Sequence, residues 1–200
     1  MWNRQNLITQ LQKELPGERA HINFYPYRVK NKFNETEIDK KLSAVGIHLY
    51  PENESVFFVL IKRSNYNGHH SGQIAFPGGK KDYSDSNLEQ TAKRESFEEL
   101  SISMENGEFI CELTAVYIPV SNFLVHPFVF WHNQKPYMSK NHEVAEVIEI
   151  SLEELINEEN LGKINLEKIG LTDIPAFIFR ECQVWGATAL ILSELKEMLK

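Results

Sequence analysis

The sequence predicts an α+β fold or an α/β/α sandwich. Two observations carry this. Several runs rich in β-branched and aromatic residues are punctuated by turn signals, and segments with apolar residues at helical spacing stand at both ends and near the middle of the chain. At 200 residues, 42% of them hydrophobic, the chain is long enough to bury a sizeable core in one globular domain.

The first element is a helix from about Asn3 to Leu15. Leu7, Ile8, Leu11 and Leu15 recur at helical spacing, and Pro16-Gly17 closes the run. The polar stretch "YRVKNKFNETEIDKK" reads as loop or a short helix. "SAVGIHLY" and "ESVFFVLIKRS" are β-formers separated by "PENE", hence a hairpin. A helix is predicted from about Ser86 to Leu100, with Asp85 or Ser86 as its N-cap. "FICELTAVYIPV", "FLVHPFVFWH" and "EVAEVIEISLEEL" read as three more strands, the last running into a short acidic helix. "IPAFIFRECQVWG" reads as another strand. In "ATALILSELKEMLK", Ala187, Leu190, Ile191, Leu195 and Met198 form the packing stripe of a final helix.

Composition removes several classes of function. The formal net charge of -7 leaves no general electrostatic footprint for nucleic acid. No run approaches the length of a membrane span, and the first twenty residues hold no continuous apolar core of a signal peptide. The two cysteines, Cys111 and Cys182, are isolated in apolar surroundings and read as small buried hydrophobes. A cytoplasmic protein is expected, with no nucleic-acid or membrane partner.

Chemistry concentrates between His69 and Leu100. At about 100° per residue, Glu95 and Glu99 lie roughly 40° apart around the helix and Glu98 about 60° to the other side of Glu95. All three share an edge with Leu88 and Ala92, while Phe97 lies nearly opposite. Carboxylates this close raise one another's pKa unless a positive charge compensates. Arg94, at i,i+4 to Glu98, is one candidate; a hard divalent cation, Mg2+ or Mn2+, is the other. A bare E-x-x-E-E is ordinarily a solvated helix face. Here Gly78-Gly79 follows Pro77 a short loop upstream, predicting a sharp turn whose backbone comes close to a ligand. A carbonyl there can join the carboxylates on one cation, and Lys80 and Lys81 add positive charge for a phosphate chain.

Gly79, Asp85 and "Arg94-Glu95-x-x-Glu98-Glu99" resemble the Nudix box, the loop-helix motif of hydrolases acting on nucleoside diphosphates linked to another moiety. The upstream run resembles the coenzyme A diphosphatase branch: Arg63-Ser64, Gly72 and Phe76-Pro77-Gly78-Gly79 match its signature at the expected spacing. The likeness extends over roughly Ala44 to Leu192. Asp85 stands where the general box has Glu, one residue further from Arg94. Ser96 replaces a hydrophobic residue, Ser101 a glycine, and Gly68 an arginine of the branch signature.

The resemblance implies a Nudix-like sandwich with a mixed sheet over residues 41–200, residues 1–40 forming an N-terminal extension. It also implies a possible homodimer and a small-molecule nucleotide substrate. Metal ligands would be Glu98, Glu99 and the Gly79 carbonyl, and Glu95 would be a third ligand or the group that receives a proton from water. Arg94 would orient the acids, and Arg63, Lys80 and Gly78 would contact substrate. Glu143 and Glu146 are further candidates for a general base, and His69-His70, Tyr66 and Phe123 are weaker ligand-contact candidates. The substrate implied is coenzyme A or a derivative, cleaved to 3',5'-ADP and 4'-phosphopantetheine. The alternatives are ADP-ribose, a dinucleotide or a nucleoside triphosphate, or a sensing domain without turnover.

Overall fold

The computed structural model describes residues 2–24, 40–64, 72–167 and 170–200. The stretch 27–41, read as loop or short helix, lies almost entirely outside these residues, as do Tyr66, Gly68, His69 and His70.

Strands β1 (Lys41–Glu52) and β2 (Ser55–Arg63) form the expected hairpin, with Leu49 opposite Phe58 and Glu52 opposite Ser55. Asn53 and Glu54 both take positive φ (48° and 67°), the mirror-image turn whose twist suits a two-residue hairpin. β1 also runs parallel to β7 (Phe123–His132), His48 opposite Phe130. A strand flanked on both sides and covered on both faces reads as a nearly unbroken buried run, as β1 does from Ala44 to Tyr50. β8 (Val144–Ser151) adds antiparallel to β2, while β5 (Gly107–Glu112) and β6 (Val116–Ile118) add antiparallel to β7. Short strands β3 (Ile74–Ala75) and β4 (Gly78–Lys80) pair with β2 and β1. Among the described residues this makes one mixed eight-stranded sheet. A second, antiparallel sheet is built from β9 (Leu161–Leu166), β10 (Leu171–Ile178) and β11 (Gln183–Trp185).

Alternation along the strands divides the large sheet into two faces. Ile47 and Leu49 of β1, Val56, Phe58 and Leu60 of β2, and Val129 and Trp131 of β7 form the main core. Helices α1 (Arg4–Leu11), α4 (Leu152–Ile156) and α5 (Gly186–Met198) close it, through Leu7, Ile8 and Leu11, Leu152 and Leu155, and Leu190, Ile191 and Leu195, with the one-turn α2 (Glu18–His21) against α5. On the opposite face Tyr50, Val59 and Ile61 meet Leu100, and Ala44, Phe128 and Phe130 meet Ala92, the last two partners both from α3 (Leu88–Leu100). The α/β/α sandwich is therefore present, with α3 alone on its side of the sheet among the described helices. None of those helices is long and apolar enough to cross a membrane.

Several boundaries differ from the sequence reading. α1 stops at Leu11; Leu15 packs on the core outside the helix, because a residue preceding proline is pushed out of helical backbone. The cap of α3 is Asn87, whose Oδ1 accepts from Gln90 N–H, since Asp85 is engaged elsewhere. The run 109–120 divides into β5 and β6. The run 174–186 divides into β10 and β11, joined through the Phe179 N–H and the Cys182 carbonyl (2.9 Å). β9 was not foreseen. Both cysteines are half-buried, and burial pushes each thiol up to about 12.

A fully buried carboxylate ties the amino-terminal segment to the sheet. Glu194 on α5 accepts from Gly17 N–H (3.0 Å), Thr114 N–H (2.9 Å) and Thr114 Oγ1 (2.6 Å). Removing it strands two backbone donors, each costing about 1–3 kcal/mol when unpaired. Glu194→Ala is expected to lower unfolding stability by roughly 3 kcal/mol or more, read as the shift in urea midpoint at unchanged slope.

Candidate active site

The site forms where α3 lies across β1 and β4. β4 aligns Gly78 with Val45 and Gly79 with Ala44, and the Gly46 N–H donates to Pro77 O (2.9 Å). The glycine pair is thus strand rather than the sharp turn expected from its sequence. Its requirement for glycine comes from close approach. A Cβ on Gly78 (φ 158°) would stand 2.4 Å from Ala44 O, and one on Gly79 would stand 2.5 Å from the Glu95 carboxyl carbon. Bare backbone at Gly78 lets β4 close on β1, and at Gly79 it lets the Glu95 carboxylate settle.

The three acids of α3 have three different surroundings. Glu99 is 2% exposed, and its Oε2 accepts from Gly78 N–H at 2.8 Å. Arg63 Nη1 lies 3.4 Å from its other oxygen. Burial pushes the Glu99 carboxyl up to about 7; the Gly78 N–H and Arg63 oppose that rise, and Glu95 and Glu143 add to it. Glu95 is half-buried against Gly79, and burial raises it too, opposed by Arg94. Glu98 is turned outward, its side chain 53% exposed. The shared sector predicted from helical geometry therefore holds for Glu95 and Glu99, while Glu98 stands at the rim.

Arg94 organises this end of the helix. Its Nε and Nη2 reach Oδ1 and Oδ2 of Asp85, both at 3.0 Å; Nη1 reaches Glu95 (2.9 Å) and Glu98 (3.1 Å); Nη2 also donates to Lys80 O (3.0 Å). Asp85 further accepts from Thr91 Oγ1 (2.9 Å) and Asp82 N–H (2.9 Å). Bonds from Arg94 hold the Asp85 carboxyl well below the usual range. A paired fork of this kind is the strong form of the interaction. Arg94 is thus the compensating charge in the bare chain. No three His, Cys, Asp or Glu side chains among the described residues are drawn together closely enough to hold a metal ion.

Arg63 stands at the other rim, between Glu99 and Glu143 (Nη2 to Oε2, 3.9 Å). Its Nε is buried without a hydrogen-bond partner among the described residues. Ser64 ties the β7–β8 connection in place, its N–H donating to Glu143 O (2.7 Å) and its Oγ to His142 O (2.8 Å). Both outlying acids are exposed; Glu143 reaches Arg63 at the rim of the site, whereas Glu146 reaches Lys62 (3.8 Å). Lys80 contributes its carbonyl to Arg94 and points its side chain to solvent. Phe123 packs on the main core with Lys41 over its ring.

Sequence reasoning missed His48 and His132, which lie buried beneath α3. His48 Nδ1 is 2.9 Å from His132 Nε2, and His48 Nε2 is 2.8 Å from Ser96 Oγ. Their only sequence signal was polarity inside two otherwise apolar strands, together with Ser96 at a hydrophobic position of the box.

A mixed sheet between helices, with an acidic helix resting on a glycine strand beside two arginines, is the frame of an enzyme that hydrolyses pyrophosphate linkages. Residues 40–169 match the NUDIX domain family, and the chain belongs to it. An uncharacterized Nudix hydrolase NudL of Enterobacter sp. (strain 638) is 32% identical over 170 residues, covering 84% of this chain and 87% of that protein. The Yersinia enterocolitica protein of the same name is 32% identical over 143 residues, 70% of this chain and 73% of its own. Among solved structures, the RenU Nudix hydrolase of M. smegmatis shares the fold with a TM-score of 0.58 at 15% identity, over 80% of this chain and 86% of that one. The NUDIX domain of Shewanella oneidensis NrtR, crystallised with ADP-ribose, gives 0.51 at 14% identity, over 86% and 96%.

The Glu99 titration has a definite sign. Its folded pKa of about 7 exceeds the ordinary 4.5, so the folded metal-free protein holds the extra proton between those values. Stability relative to Glu99→Gln is therefore greatest below pH 4.5 and falls as pH rises to 7. The full swing is up to roughly 3 kcal/mol. Urea unfolding of both proteins in chelator across this range measures it; a constant gap contradicts the assignment.

Proposed function

We propose that the chain is a divalent-cation-dependent hydrolase that cleaves the diphosphate of coenzyme A or its derivatives to 3',5'-ADP and 4'-phosphopantetheine. The observation that carries this reading is the seating of Glu95 and Glu99 against the side-chain-free Gly78–Gly79 strand, with Glu98 at the rim on Arg94. Branch specificity rests on the sequence signature Arg63-Ser64, Gly72 and Phe76-Pro77-Gly78-Gly79. The donor set fits Mg2+ or Mn2+ in its chemistry: hard carboxylate oxygens, on two carboxyls whose pKa is raised by burial. Glu98, Glu99 and the Gly79 carbonyl would hold the cation, with Glu95 either a third ligand or the proton acceptor. When bound there, the cation supplies an acidified water and neutralises the charge developing on the phosphates.

The chain's own residues do the rest. Arg94, fixed by Asp85, keeps Glu95 and Glu98 in place. Arg63, with a spare buried N–H, binds a phosphate oxygen beside Glu99, and Lys80 adds charge at the open rim. Water forms a bond to one phosphorus, the bridging P–O bond breaks, and the bridging oxygen leaves with the other phosphate. The proton from water passes to a carboxylate, Glu95 or Glu143. Two phosphate monoesters result, so atoms and charge balance.

The test is a substrate panel with Mg2+ or Mn2+ read by mass spectrometry. Coenzyme A is expected to yield 3',5'-ADP and 4'-phosphopantetheine; AMP-type products from ADP-ribose or dinucleotides alone would reassign the substrate. Because Glu98 is largely exposed, Glu98→Gln is expected to keep its melting temperature and lose at least about a hundredfold in kcat, the scale typical of an electrostatic group at a reacting phosphate. Wild-type turnover by that variant would remove Glu98 from the mechanism.

A further inference from the structure

A buried polar chain crosses the interface between sheet and helix among the apolar side chains of Ala44, Ala92, Phe128 and Phe130. His132 Nε2 and His48 Nδ1 are 2.9 Å apart, His48 Nε2 and Ser96 Oγ 2.8 Å, and Ser96 Oγ and Ala92 O 2.7 Å. All three side chains are buried. The last link sets the direction of donation, because a carbonyl only accepts. The Ser96 hydroxyl donates to Ala92, so its lone pair takes the His48 Nε2–H. His48 Nδ1 is then an acceptor and receives the His132 Nε2–H. Burial lowers both histidines, His132 to about 4, so both rings are neutral near pH 7 and the chain has one self-consistent proton arrangement.

Space is the second observation. A Cβ on Gly46 would stand 2.6 Å from His48 Nε2 and 2.7 Å from Ser96 Oγ. The absent side chain leaves room for the histidine–serine bond between β1 and α3. Immediately upstream, Val45 and Ala44 pair with Gly78 and Gly79, and Gly46 N–H holds Pro77. One five-residue stretch of β1, Ala44 to His48, therefore carries both the glycine strand and an anchor for the helix whose carboxylates meet it. Ser96 directly follows Glu95 and lies three residues before Glu99, so its depth sets theirs.

We propose that His48, oriented by His132, is a positioning residue that fixes the rotation and depth of α3 through Ser96, so that Glu95 and Glu99 meet Gly79 and Gly78. Apolar packing at this point would bury the same area, but it is non-directional. The His48–Ser96 bond is the link that crosses from sheet to helix, and with His132 orienting its donor and Ala92 fixing its acceptor it favours one rotation of the helix. The consequence for catalysis rests on the hydrolase reading above; the consequence for the Gly78–Glu99 bond does not.

The experiment compares His48→Phe, Ser96→Ala and His48→Gln in the full chain. Phenylalanine keeps the ring stacked on Phe130 (5.4 Å between centroids in the native pair) but cannot donate. Alanine at 96 removes the acceptor with minimal disturbance, which guards against a variant that fails to fold. Glutamine retains a donor for Ser96 and an acceptor for His132. The first readout is the amide proton shift of Gly78 by NMR without metal, which reports the Glu99 hydrogen bond independently of global stability. Upfield movement of several tenths of a ppm is expected in His48→Phe and Ser96→Ala, and recovery in His48→Gln. The second is Mn2+ affinity by calorimetry, expected to weaken about tenfold or more in the first two, the usual cost of losing a ligand-supporting partner.

An unchanged Gly78 signal in His48→Phe and Ser96→Ala, with only a lowered melting temperature, overturns the proposal. So does a His48→Gln variant as perturbed as His48→Phe. If the wild type binds no Mn2+ while Gly78 responds as described, the metal reading fails and the positioning role stands.

Discussion

The site depends on one hydrogen bond in which a buried carboxylate, Glu99, accepts from the Gly78 amide at 2.8 Å. For that bond to exist the helix must lie close enough to β1 for its side chains to reach across β4, and β4 must carry no side chain in the way. A Cβ on Gly79 would stand 2.5 Å from the Glu95 carboxyl carbon, which shows how little room remains. The cost of burying the carboxylate falls on its ionised form, which is why its pKa rises even with an amide and an arginine beside it. A structural protein gains little from such an arrangement. On the reading proposed above, a divalent cation would supply the compensation that the carboxylate lacks.

The arginines divide the electrostatic work. Arg94 is locked along the Nε–Nη2 edge of its guanidinium by Asp85 and distributes its remaining donors to Glu95, Glu98 and the Lys80 carbonyl. Its position is over-determined, and it behaves as part of the frame. Arg63 has longer contacts, 3.4 and 3.9 Å, and an unsatisfied Nε among the described residues. Arg63 is thus the less tightly held of the two. The departure of Asp85 from the usual glutamate, with its longer spacing, is absorbed here because the carboxylate still takes both arms of the Arg94 fork.

Much of this was legible in the sequence, and what was not has a physical reason. The hairpin of β1 and β2, the α3 segment and the final helix follow from local periodicity and turn chemistry, which act over a few residues. The proximity of Glu95 and Glu99 follows from helical geometry alone. The orientation of Glu98 does not, because which half of an acidic sector faces inward is decided by what lies opposite, and β4 lies opposite only after the sheet has formed. The glycine pair was read as a turn since Pro-Gly-Gly has turn chemistry locally; long-range pairing with Ala44 and Val45 overrode it. The division of 109–120 and 174–186 into paired strands has the same origin. His48 and His132 carry no motif at all, and their link is a register property of two parallel strands 84 positions apart.

The two faces of the sheet illustrate what apolar packing can and cannot specify. The side covered by α1, α4 and α5 is almost entirely hydrophobic, and its chief polar device, Glu194, anchors backbone rather than chemistry. Burial there stabilises many similar packings nearly equally, since the attraction scales with area and carries little angular preference. The α3 side buries Thr91, Ser96, Glu99, His48 and His132 among smaller apolar clusters. Each of those groups needs a partner at a particular distance and angle, so a small rotation of α3 would break several bonds at once. Placing the polar contacts on the helix that bears the carboxylates lets the apolar face hold the fold together while the polar face determines where the acids stand.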